Sequence, residues 1–154
     1  MSPETNNRTP ALPDVDWHSG PAQVQARDRE PRFLVLKALV GLFAFDALGF
    51  GQNFAKMHRF VSTYKTVQHA PSAQVVDQVG RAVEYARAWY PKRVLCLQRS
   101  AVATCLLRSC GVPAKMVIGA QNLPFKAHAW TEVNGRAINE RRDVQRLYAI
   151  WERY

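Results

Sequence analysis

The chain reads as an α+β domain in which helices come first and an antiparallel sheet packs on the central one. Two observations predict this. Helical segments run from Phe33 up to a Gly-Pro stop at Gly111 and Pro113, and short strand-like runs separated by turn residues gather after it. At 154 residues, with an apolar fraction of 47%, the length suits one core and leaves little room for a second full domain.

Met1 to Glu30 is polar. Pro3, Pro10, Pro13 and Pro21 fall in it, Pro31 follows, and there is no basic-then-apolar signal pattern, so residues 1–30 are expected to be a flexible tail and 31–154 the domain. Phe33 to Phe50 could pass for a membrane span, but Lys37 and Asp46 interrupt it and Gly41 and Gly49 weaken it. Phe33 to Lys65 is therefore read as a mostly helical block of core helices, and peripheral membrane contact as the lesser reading.

Pro71 and Ser72 give a start signal for the next helix, which Pro91 ends. Val75, Val76, Val79, Val83, Ala86 and Tyr90 recur on one of its faces. A buried helix is then predicted from Cys96 to Ser109, stopped by Gly111 as a left-handed cap and by Pro113. Strands are expected at Lys115–Ala120, Ala127–Val133 and Arg136–Glu140, with a loop over Gln121–Lys126. Arg141 to Tyr154 would end in a short helix, given Tyr148 and Trp151 three apart; Trp89 and Trp130 are expected in the core, Trp130 on the His128 face.

The formal charge is +9, but the basic residues are scattered. Without a motif of interleaved aromatics the charge points to an acidic partner or substrate rather than to nucleic acid. No Cys-x-x-Cys or paired-His spacing appears, so metal- and cofactor-free chemistry is expected. Cys96, Cys105 and Cys110 lie along one predicted helix. The later two stand about 13 Å or more along its axis from Cys96, beyond the separation of about 7 Å that a disulfide tolerates. They are expected as thiols in a reducing cytoplasm.

The chemistry rests on Cys96 and His128. A thiol at a helix N-terminus sits at the positive end of the dipole, which favours thiolate, and an imidazole on a strand can take its proton. A third polar group would hold the ring. The Asn134-Gly135 hairpin offers two registers. A two-residue turn places His128 opposite Arg141 with Asn139 as its diagonal neighbour; a three-residue turn places Glu140 directly opposite. Asp143 is a third candidate if the chain bends back. The Cys96 N–H would serve the oxyanion, with Gln98 as a candidate second donor.

The runs Cys96-Leu97-Gln98-Arg99-Ser100, Leu106 to Ala114, Val117-Ile118-Gly119 and Pro124 to Trp130 resemble the lasso-peptide leader peptidases, transglutaminase-like (papain-like) cysteine proteases of bacterial peptide natural-product pathways. The resemblance is specific from Val79 to Asn139 and looser from Phe33 to Tyr64. It implies an enzyme that cuts the leader from a ribosomally made precursor, exposing an amine that an ATP-dependent lasso cyclase joins to an acidic side chain. It also implies a small leader-binding partner protein, for which this chain lacks room, so the chain looks like the stand-alone protease half. By the motif, Cys96 is the nucleophile and His128 the base. The family's aspartate aligns with Glu140, one methylene longer; the three-residue turn favours Glu140, with Asn139 and Asp143 open. An acyltransferase on the same scaffold and a non-catalytic peptide-binding module are the alternatives.

Overall fold

The computed structural model describes residues 31–51, 53–67, 73–138, 140 and 144–154. The expected tail and the Pro71-Ser72 start signal lie outside them. The order is α1 (Pro31–Ala47), α2 (Phe54–Thr63), α3 (Ala73–Trp89), α4 (Cys96–Ser109), β1 (Lys115–Asn122), β2 (Phe125–Val133), β3 (Arg136–Ile138), a single helical turn α5 (Val144–Leu147) and β4 (Ala149–Arg153). The strands form one antiparallel sheet ordered β3-β2-β1-β4.

Alternation along the strands sorts side chains between two faces. Met116, Ile118 and Ala129 pack with Phe45, Met57 and Ala101 on the helical side, whereas Val117, Trp130 and Val144 form a smaller cluster on the other, joined by Tyr148 and Ile150. A third cluster joins α1, α3 and α4, and takes in the predicted α3 face through Val79, Val83, Ala86 and Tyr90. Among the described residues no helix is long and apolar enough to cross a membrane.

Several expectations are corrected. The block from Phe33 to Lys65 is two helices, broken after Ala47 and restarted at Asn53, whose side chain accepts from the Lys56 N–H at 3.0 Å. The predicted loop over Gln121–Lys126 shrinks to Leu123 and Pro124, joined by a cis peptide bond, because β1 and β2 pair out to Asn122 and Phe125. The third strand stops at Ile138 rather than Glu140. The C-terminal segment has the expected short helix but continues into β4, an outer strand paired with β1. Trp89 is not a core residue: it stands on the outer side of α3, 78% exposed.

Candidate active site

Helix α4 begins at Cys96 because Leu95 is still extended, with φ −79° and ψ 157°, and its carbonyl accepts the Arg99 N–H at 3.0 Å. Leucine has no side-chain oxygen to cap the helix. The first-turn N–H groups, including that of Cys96, therefore have no partner within the helix and face outward along its axis.

Three polar contacts set α4 against β2. Ser100 Oγ donates to the Ala129 carbonyl at 2.9 Å, Thr131 Oγ1 donates to the Ser100 carbonyl at 3.1 Å, and the Thr104 and Thr131 hydroxyls meet at 3.2 Å. One turn of helix thus advances two residues on the strand, as the rises of the two structures require. Carried back one turn from Ser100, the same step sets Cys96 level with Ala127, while the ring of His128, next along the strand, lies against Trp130. Cys96 is partly buried and packs against the cluster that contains Ala129.

His128 lies opposite Gly119 on β1, and its ring centroid is 6.2 Å from that of Trp130 and 5.3 Å from that of Tyr148. Trp130 leans across Gly119: a Cβ there would come within 2.9 Å of the indole and of the Ala149 carbonyl, so only glycine fits. The indole is held in turn by Glu132, which accepts its N–H at 2.9 Å.

His128 Nε2 lies 3.2 Å from Glu140 Oε1. That oxygen is fully buried and also meets the Arg99 guanidinium, both as charge contacts rather than aligned hydrogen bonds. Arg99 in turn reaches Glu84 on α3 at 3.5 Å. With Nε2 occupied, Nδ1 is the nitrogen left to exchange a proton. Burial pushes the His128 pKa below its ordinary value, and the Arg99 charge pushes it the same way. The imidazole is therefore held towards its neutral, proton-accepting form.

The structure brings His128 and Glu140 together. It sets Cys96 at the neighbouring helix start, and no hydrogen bond joins its thiol to His128 among the described residues. Cys105 is a different kind of thiol, since burial pushes its pKa up to about 11. The turn is also corrected. Val133 pairs with Arg136, and Asn134 and Gly135 have φ of 50° and 75°, which makes a two-residue turn rather than the three-residue form that favoured Glu140. Glu140 reaches His128 all the same because β3 ends two residues earlier and the chain leaves the sheet. Asn139 and Asp143 lie outside the described residues.

Gln98 is not at the site. Its side chain is 4% exposed, and its amide donates to the Leu42 carbonyl at 3.0 Å and to Asp46 at 3.3 Å, tying α4 to α1. Arg99 is the residue that sequence reasoning missed. Its signal was a cation one turn after Cys96, the one charged residue of α4 before Arg108 in its last turn.

A family model described as the transglutaminase-like superfamily matches residues 41–152, well over half of the chain and a span that holds Cys96, His128 and Glu140. No curated protein and no solved structure matches it. Members of that superfamily are commonly cysteine-type enzymes. With its helices packed on a small antiparallel sheet and a cysteine opening the central helix, the chain belongs to the transglutaminase-like superfamily.

Proposed function

We propose that this protein is a cysteine peptidase that removes the leader from a ribosomally synthesised lasso-peptide precursor. The observation that carries the chemistry is the 3.2 Å contact between His128 Nε2 and Glu140, beside the helix start that bears Cys96. The substrate class rests on the sequence resemblance.

In this reading His128 Nδ1 takes the Cys96 thiol proton and the thiolate attacks the scissile carbonyl carbon. The oxyanion is met by the open N–H groups at the start of α4. His128 returns the proton to the leaving amine as the C–N bond breaks, which frees the core peptide and leaves the leader as a thioester on Cys96. Water, deprotonated by His128, then releases the leader as a carboxylic acid. Glu140 holds the ring through Nε2. The reading includes a small leader-binding protein that presents the substrate, a separate ATP-dependent cyclase that uses the product, and a cytoplasmic setting.

The test is mass spectrometry of the precursor encoded beside this gene, incubated with the purified chain and its leader-binding partner. A single cut that vanishes in Cys96→Ala and falls by about 100-fold or more in Glu140→Ala is the expected result. Cutting that survives Cys96→Ala removes the nucleophile and the reading with it. Capture of the leader by an added amine in place of water moves the chain to acyl transfer on the same residues.

A further inference from the structure

Helix α1 carries two apolar stripes. Leu34, Ala38, Leu42 and Phe45 are buried in the core, while Phe33, Leu36, Val40 and Leu48, the last just past the helix end, stay 63, 55, 59 and 45% exposed. An outer helix ordinarily turns charge to water on that second face. Here the face forms one wall of a hollow of about 580 Å³; Phe60 of α2 and Tyr64 just past its end supply the opposite wall, and α4 the floor through Ala101, Val102 and Cys105. An adjoining hollow of about 450 Å³, bordered by Lys56 and Arg59, shares Leu48 and Phe60 with it.

The charged residues that border the two hollows are all basic, Lys37 at the first and Lys56 and Arg59 at the second; among the described residues of 31–67 the one acid is Asp46. Asp46 borders neither hollow: it stands exposed towards the end of α3, accepting from Tyr90 at 2.7 Å and from Lys92 at 3.1 Å. A concave apolar trough walled by two helices fits a third helix better than a flat bilayer, which cannot descend to the α4 floor. Two copies of this chain would bring like charges together, at a cost that disfavours self-pairing.

We propose that the trough between α1 and α2 receives an acidic amphipathic helix of a partner protein, its apolar stripe seated on Leu36 and Val40 and its carboxylates on Lys37, Lys56 and Arg59. The 17-residue length of α1 sets the scale of the occupant at nearly five turns, or about 25 Å. This interaction does not depend on the reaction proposed for Cys96.

Two fluorescent 18-residue helical peptides test it, each with leucines at i, i+3, i+4 and i+7 spacing, one with glutamates at the remaining positions and its twin with lysines. Anisotropy titration at low salt is expected to show the glutamate peptide binding at least about tenfold tighter than its twin. Leu36→Asp with Val40→Asp, at exposed positions where folding should survive and circular dichroism can check it, is expected to weaken that binding by about tenfold or more. Lys37→Glu with Arg59→Glu is expected to reverse the preference. Equal binding of both peptides, or of neither, overturns the proposal. So does sedimentation with phosphatidylglycerol vesicles that Leu36→Asp with Val40→Asp abolishes, which assigns the face to a membrane. A dimer that the same variant dissolves assigns it to a second copy.

Discussion

Arg99 and Arg108 stand near the two ends of α4, both largely withdrawn from water, and they face opposite kinds of partner. Arg108, 8% exposed, donates among the described residues to backbone carbonyls alone: Ala114 at 2.8 Å, Val61 at 2.5 Å, Tyr64 at 3.1 Å and Tyr154 at 2.8 Å. It ties the end of α2, the approach to β1 and the residue after β4 to one helix turn. Arg99 meets two carboxylates instead, Glu84 and Glu140, the second shared with His128. Carbonyls do not titrate, so the Arg108 end holds the same geometry at any pH near neutral. The Arg99 end is built of groups whose charges answer to one another, which is what proton transfer needs.

The sharpest way to break this contrast is Arg108→Ala. It strands buried carbonyls on three elements and is expected to cost about 3 kcal/mol, lowering Tm by about 6–12 °C, with cleavage per folded molecule unchanged. Denaturant and thermal melts read the first effect. A loss below about 1 kcal/mol would mean that the cluster is not the anchor its geometry suggests.

Arg99→Met should do the reverse, costing less stability and changing the titration. Removing the cation takes away a charge that disfavours imidazolium and leaves Glu140 to favour it. The His128 pKa therefore rises, and the acid limb of activity moves to higher pH. NMR titration of the His128 ring protons checks this without any substrate, and an unmoved or lowered pKa would refute the coupling. In the wild type the folded pKa lies below the ordinary 6.5, so the unfolded chain binds the proton first and stability falls as pH drops through that value.

The smallest effect expected is from Ser100→Ala, which removes the Ser100 Oγ to Ala129 hydrogen bond. A loss of about 1 kcal/mol is expected, with a modest fall in cleavage as the helix start loosens against β2. If activity falls while stability holds, the register of α4 on β2 matters to the site more than to the fold.

The end of α4 was legible because its signal is local, Gly111 with Pro113 closing it. The face of α3 was legible from spacing alone, since Val79, Val83, Ala86 and Tyr90 all turn inward. β4 was not, because an outer strand with Trp151 exposed and Ile150 half-buried shows little alternation, and its pairing with β1 is made far away in sequence. The Glu140 contact was foreseen through a turn the chain does not make. Its true cause, the early end of β3, has no local signature. Gln98 was misplaced because its helix position fits either a site or a core contact, and only the approach of α1 at Leu42 decides between them.

The packing of Trp130 against His128 gives the protein an optical reporter. Trp89 and Trp151 are 78 and 61% exposed and emit from water, whereas Trp130 is fully buried and emits to the blue of them. An imidazolium quenches a nearby excited indole far more than a neutral ring does. The blue edge of the emission spectrum therefore dims as His128 takes up its proton, so the charge state of the site can be followed in a cuvette, in any variant and with no substrate present.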